Sequence, residues 1–213
     1  YGIFDYRGSS RSSARETACR VAAGAVAKKI LKHFNVSLAA YVKQIGSIEA
    51  DIQFSDIQIL KEAIYKDTFF CPDRKASSNI ELLLKKTIEE GDSVGGIIEF
   101  VALDVPVGLG DPIYQKLEAN LANAMMSLPA TKGFEMGSGF KSAQMKGSEH
   151  NDIFIQTDDG VKTKTNFAGG TLGGISTGMP LVGRVAFKPT SSIRKPQETV
   201  DLEGKKQIYT LPE

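Results

Sequence analysis

The stretch RGSSRSSARETACRVAAGAVAKKILKHF, Arg7 to Phe34, sets a loop of arginine, serine and glycine directly on a run with helical periodicity. Ser13 followed by Glu16 predicts a capping box, in which the hydroxyl takes an orphan backbone amide and the carboxylate reaches back, so a helix should start near Ala14. Ala18, Val21, Ala22, Ala25, Ile30, Leu31 and Phe34 recur at three- and four-residue spacing and form one apolar face. The small residues Ala22, Ala23 and Ala25 let a neighbouring backbone come close, and Gly24, which inside a helix costs about 1 kcal/mol relative to alanine, points to a packing or a site reason. The expectation is a buried, tightly packed helix.

Free amides and the positive end of the helix dipole at that entry favour an anion. Arg7, Arg11 and Arg15 add guanidinium forks, and Ser9, Ser10, Ser12 and Ser13 add hydroxyl donors. The same pattern describes a capped helix with solvated arginines, and the residues alone leave both readings open.

Outward from this stretch, Val36 to Glu49 alternates Val36, Leu38, Ala40 and Val42 against polar or small neighbours and reads as a strand ending at Gly46. Ile57 to Tyr65 reads as a helix, Cys71 to Ser78 as a breaker region, and Ile80 to Ile88 as a second helix ended by Gly91. IIEFVALDVPV is apolar on both faces and should be a central strand. Asp111 and Pro112 should open a helix with Tyr114, Leu117, Leu121, Ala124 and Met125 on one stripe, stopped by Pro129. Thr131 to Met136 reads as a strand, and Ile153 to Thr157 with Val161 to Thr165 as a hairpin across Asp159-Gly160.

Asn166 to Gly178 holds Gly169, Gly170, Gly173, Gly174 and Gly178, which let a ligand touch the main chain or simply make turns. It is neither a P-loop nor a Rossmann fingerprint. A strand through Leu181, Gly183, Val185 and Phe187 delivers Lys188, Pro189, Thr190, Ser191 and Ser192, a cation followed by three hydroxyls. That group suits a phosphate, and equally an ordinary polar loop. Glu198 to Leu202 and Lys206 to Leu211 should form a last hairpin.

A net charge of +1 over 213 residues argues against a general polyanion binder, and the short basic cluster Arg7 to Arg15 is the only support for nucleic-acid binding. The expected partner is a small molecule. No apolar run approaches a membrane span, so no membrane association is expected and the cytoplasm is the default location. Cys19 and Cys71 offer no disulfide framework, and His33 and His150 lack ligand spacing, so no metal is expected. Without strict strand–helix alternation, the fold class is α+β with antiparallel sheets.

RSSARETACRVAAGAVAKK, followed in order by CPD, GDSVGG, DVPVGLGDP, SLPATKGFEMGSGF, NFAGGTLGGISTG and KPTSS, resembles the chorismate synthase family over essentially the whole chain. The resemblance implies a β-α-β sandwich of antiparallel sheets with helices packed between them, and a homotetramer. Residues 1–213 would be the central portion of a single chorismate synthase domain, truncated at both ends. It further implies 1,4-elimination of phosphate from 5-enolpyruvylshikimate 3-phosphate to give chorismate, with reduced FMN as cofactor and an association with NADP. The substrate is a phosphorylated dicarboxylate.

By position, the resemblance assigns Arg11, Ser12, Ser13, Pro129, Ala130, Gly173, Lys188, Pro189, Thr190, Ser191 and Ser192 to the cofactor, and Ser13 and Arg15 to the substrate. Ser9 and Ser10 stand where many relatives have glycines, and Phe167 replaces a residue that is often polar. The family's two catalytic histidine motifs do not occur in this sequence, and His33 and His150 sit in other contexts. The expectation is that this chain alone carries no catalytic residue and is essentially inactive. A non-catalytic module of the same fold, binding flavin or a phosphometabolite, is the alternative.

Overall fold

A computed structural model describes residues 13–158 and 160–211. Arg11 and Ser12 therefore lie outside the described residues, as does Asp159 of the expected hairpin turn. The chain divides into two compact units, one within residues 1–40 and 99–185, the other within 41–98 and 186–213. Among the described residues, a five-stranded sheet has the order β2 (Ile48–Glu49), β1 (Ser37–Ile45), β3 (Gly96–Leu103), β9 (Leu181–Phe187), β4 (Thr131–Met136), and three two-stranded antiparallel sheets pair β5 (Phe154–Thr157) with β6 (Gly160–Thr163), β7 (Thr171–Leu172) with β8 (Ile175–Ser176) and β10 (Gln197–Val200) with β11 (Lys206–Tyr209). Helices and antiparallel sheets together make the fold α+β, as expected.

In the first unit the chain enters through a 3-10 turn, Ala14–Glu16, before α1 begins at Thr17–His33. The hydroxyl of Ser13 accepts from the Arg15 amide at 3.4 Å, and the Glu16 amide donates to the Ser13 carbonyl at 3.2 Å. This replaces the expected capping box: in a 3-10 turn the amide that the box would satisfy is already spent on a backbone carbonyl.

The expected burial of α1 is not found. None of its residues is buried, Val21 is 73% exposed and Ile30 58%. Among the described residues, a Cβ on Gly24 would meet nothing within 4 Å, so no close backbone approach by them accounts for this glycine. The apolar residues are present, but the described residues leave them uncovered.

β1 spans Ser37–Ile45 and turns at Gly46 into β2, Ile48–Glu49. Its alternation differs from the expected one, because Ala39 and Tyr41 are buried whereas Ala40 is exposed. Val36, Leu38 and Val42 still pack against core residues, so apolar side chains on both faces blur the period-two signal.

β3, Gly96–Leu103, is the middle strand of five and is buried from Glu99 to Ala102, matching its two-faced apolar pattern. Ala102, Val105 and Leu181 form the first unit's core with Val36, Leu38, Leu117 and Met136. In β9, Leu181–Phe187, a Cβ on Gly183 would come within 2.5 Å of the Phe100 ring and 2.9 Å of the Met136 sulfur. Only glycine lets those side chains cross that strand.

The second unit packs Ala50, Cys71, Ala76 and Ile80 beneath Val42, Ile45 and Leu84. α2, Ile57–Lys66, is capped by Asp56, which accepts from the amides of Gln58 and Ile59. α3, Arg74–Glu89, starts six residues before Ile80, inside the region read as a breaker. Asp73 is the reason: its carboxylate accepts from the amides of Lys75 and Ala76, so the Cys-Pro-Asp segment initiates a helix instead of interrupting one.

Candidate functional site

α4, Leu117–Met126, organises the predicted ligand-binding residues of the first unit. The sequence placed its start at Asp111, but Asp111 and Gln115 exchange backbone hydrogen bonds of 2.8 and 3.0 Å and close a separate turn. Tyr114 is consequently 87% exposed, off the expected stripe. At the other end the helix stops at Ser127, and the Thr131 hydroxyl donates to the carbonyls of Met126 and Leu128 at 3.1 and 2.8 Å. This fixes the turn carrying Pro129, which is half-buried, and Ala130, which is exposed with φ +66°.

Arg20 fastens α1 to that turn, with Nη1 3.0 Å from the Ser127 hydroxyl and Nη2 3.1 Å from the Ser127 carbonyl oxygen. Ser13 and Arg15 precede Arg20 by seven and five residues, about one and a half to two helical turns. The helix entry and the Pro129–Ala130 turn, separate blocks in the sequence, are therefore joined by this fork. Sequence reasoning missed Arg20; its one signal was an arginine interrupting a run of small residues.

Gly173 lies at the tip of the hairpin formed by β7, Thr171–Leu172, and β8, Ile175–Ser176. Gly173 and Gly174 both take positive φ, +61° and +91°, the torsions required by the tightest hairpin turn. The Gly174 carbonyl accepts from the Leu117 amide at 2.8 Å, and a Cβ on Gly174 would lie 2.5 Å from the Lys116 side chain. A Cβ on Gly173 would meet nothing within 4 Å. Gly173 thus stands at the start of α4 and Pro129–Ala130 at its end, about 15 Å apart along a ten-residue helix. The structure does not bring these two blocks together.

In the second unit, Lys188 to Ser192 follow β9 as an exposed loop. Among the described residues, the Lys188 ammonium donates only to the Pro189 carbonyl, at 3.3 Å, while the Ser93 hydroxyl donates to the Thr190 carbonyl at 2.6 Å. A Cβ on Gly95 would stand 2.5 Å from the Phe187 carbonyl oxygen and 3.1 Å from Pro189. The glycines of GDSVGG and the KPTSS loop, distant in sequence, are neighbours for that reason.

His33 ends α1 and is exposed, whereas His150 shares a 3.0 Å hydrogen bond between Nε2 and the Ser138 hydroxyl and lies tilted over Phe167 at 6.1 Å. Asp152 accepts from the Thr165 hydroxyl and from the amides of Phe167 and Ala168 at 2.6, 2.8 and 2.9 Å. Burial pushes its pKa up, but those bonds, with the nearby His150, outweigh it and hold the carboxyl below its ordinary value. The segment leading into the glycine-rich hairpin is thereby anchored through its backbone.

Antiparallel sheets and helices make this an α+β protein, with an exposed Gly173 at a hairpin tip and an exposed Lys188–Ser192 loop that carries an ammonium and three hydroxyls. The chain belongs to the chorismate synthase family, whose family model matches residues 1–212. It is 54% identical over 216 residues to a chorismate synthase of Protochlamydia amoebophila, covering 100% of this chain and 59% of that protein. It is 48% identical over 209 residues to one from a Synechococcus species, covering 98% of this chain and 55% of that protein. A crystal structure of chorismate synthase superposes with a TM-score of 0.78 at 37% identity, over 84% of this chain and 57% of that one. The chain thus spans less than two thirds of the length of these relatives. Among the described residues, no helix is long and apolar enough to cross a membrane.

Proposed function

We propose that the protein carrying this sequence is a chorismate synthase, eliminating phosphate in the 1,4 sense from 5-enolpyruvylshikimate 3-phosphate to give chorismate. The observation that carries this reading is the family match along the whole chain, including the RSSARET and KPTSS blocks. When bound, reduced FMN would supply electron density to the reacting ring. The open space at Gly173, with its positive φ, leaves room for a ligand to lie against the backbone at that turn. The proposal assigns Arg11, Ser12, Ser13, Pro129, Ala130, Gly173 and Lys188 to Ser192 to holding it.

Ser13 and Arg15 are proposed to meet the substrate's acidic groups, where a planar guanidinium matches a carboxylate or phosphate. Cation and hydroxyls facing the departing phosphate stabilise the charge that develops on it. Neither His33 nor His150 is proposed as the proton-transfer group, a role worth about 10²- to 10⁴-fold. The 213-residue chain alone is proposed to be inactive, as the central part of one domain; the whole protein, as a cytoplasmic homotetramer.

The test is an anaerobic assay of the full-length protein with excess reduced FMN, following phosphate and chorismate together. Equimolar release supports the enzyme. Flavin binding without phosphate release would favour a non-catalytic flavin-binding module of the same fold. Turnover by the 213-residue chain itself would overturn its proposed inactivity.

A further inference from the structure

The loop that follows β9 is held by one short segment, Gly91 to Gly95, within the second unit. At the near end of the loop, Pro189 Cδ would stand 3.1 Å from a Cβ on Gly95, so a glycine lets the two backbones pass. At the far end the Gly91 carbonyl accepts from the amides of Arg194 and Lys195 at 2.9 and 3.0 Å, and the Lys195 ammonium lies 3.3 Å from the Asp92 carboxylate. Between these ends, among the described residues, the tie is the 2.6 Å hydrogen bond from the Ser93 hydroxyl to the Thr190 carbonyl. Asp92 steadies Ser93 in turn, its Oδ1 accepting from the Ser93 amide at 2.8 Å.

A trans peptide points its C=O and its N–H to opposite sides. The Thr190–Ser191 peptide is trans, so a carbonyl held on Ser93 turns the Ser191 amide away from the Gly91–Gly95 segment. Among the described residues that amide has no acceptor, nor has the amide of Ser192, and the hydroxyls of Thr190, Ser191 and Ser192 have no partner. The loop therefore keeps its donors uncommitted while the carbonyl between them is tied down. Successive main-chain amides left without internal acceptors are what an anion binds.

We infer that Ser93 is a positioning residue for this loop: its hydroxyl fixes the plane of the Thr190–Ser191 peptide and so aims the Ser191 amide at the phosphate of the ligand. The inference rests on the proposed assignment of Lys188 to Ser192 to FMN, and Ser93 itself touches no ligand. Without the hydroxyl the peptide plane turns about its flanking bonds, and binding has to supply the ordering that the bond now provides. Stability is a lesser part of its effect, because Thr190 is exposed and water can replace the serine at its carbonyl.

The experiment compares the full-length wild type with Ser93→Ala, Ser93→Thr and Lys188→Ala by anaerobic calorimetric titration with reduced FMN, urea unfolding, and hydrogen exchange of the loop with and without FMN. Ser93→Ala should weaken FMN binding about three- to ten-fold at an unchanged urea midpoint, and the protection that FMN gives the Ser191 amide should fall with it. Ser93→Thr keeps the hydroxyl and should restore both. Lys188→Ala tests the loop: if it binds FMN as the wild type does, the assignment of the loop fails and this inference with it. If Lys188→Ala weakens binding while Ser93→Ala does not, the assignment stands and the inference alone is overturned. A loss in Ser93→Ala that follows a lowered urea midpoint, or that Ser93→Thr does not restore, makes the hydroxyl merely structural and overturns it as well.

Discussion

The guanidinium of Arg20 grips Ser127 twice, at its hydroxyl and at its carbonyl oxygen, 3.0 and 3.1 Å away. Since Ser127 caps α4 two residues before Pro129, this contact sets where the arginine–serine helix entry stands relative to a turn proposed to hold flavin. Arg20→Met keeps the stem but removes the fork. Both partners are exposed, so urea unfolding should show a loss of no more than about 1 kcal/mol. Reduced-FMN binding by the full-length protein should weaken several-fold, and unchanged affinity would show that the fork does not position the site.

Arg184 lies between two carboxylates, with Nε 2.6 Å from Glu99 Oε2 and Nη1 2.8 Å from Glu135 Oε1. Glu135 also accepts from the Phe140 amide at 3.1 Å, so the trio links β3, β9 and β4 to the turn after β4, Thr131–Met136. Desolvation by burial lowers the Arg184 pKa, but the bonds to Glu99 and Glu135 outweigh it and raise it. Arg184→Met leaves a buried Glu99 without this cation and should cost about 2–4 kcal/mol in chemical denaturation, slightly discounted for partial exposure. Arg184→Lys should recover only part of that, because an ammonium cannot span both acceptors.

Asp152 provides a pH signature. Its folded pKa lies below the ordinary value of an aspartate, so its stabilising effect is fully present above the unfolded pKa and lost as pH falls through the folded one. Asp152→Asn should cost about 1–3 kcal/mol near neutrality. The gap between wild type and variant should close as pH falls below about 4. A gap that stays constant across that range would show that the carboxylate's charge is irrelevant to the anchor.

Gly173 and Gly174 separate ligand space from packing. Gly173→Ala places a left-handed residue where a Cβ meets no neighbour, so stability should fall by only about 1–2 kcal/mol. Flavin binding should suffer more than stability, because the methyl enters the space proposed for the cofactor. Gly174→Ala drives its Cβ onto Lys116 and should destabilise the hairpin first. Equal effects of both substitutions on melting temperature and on affinity would remove the distinction.

Local chemistry made much of this fold legible from sequence. Thr131–Met136 matched its strand at both ends, and Gly137 and Gly139, both with positive φ, mark where it stops. β3 was recognisable as central because a strand covered on both faces must be apolar on both. α3 was misread at its start because Cys-Pro-Asp carries breaker and cap signals together, and only the carboxylate's position relative to the following amides decides between them.

The sequence by itself determined the family, the α+β class and most strand positions, since these follow from motif order, side-chain period and turn residues. Tertiary structure alone decided that Arg20 meets Ser127, that GDSVGG lies against KPTSS, and that Arg184 bridges two carboxylates. It also decided that, among the described residues, nothing covers the apolar face of α1. Each depends on where residues separated by tens of positions arrive in space, and neither hydropathy period nor local propensity carries that distance.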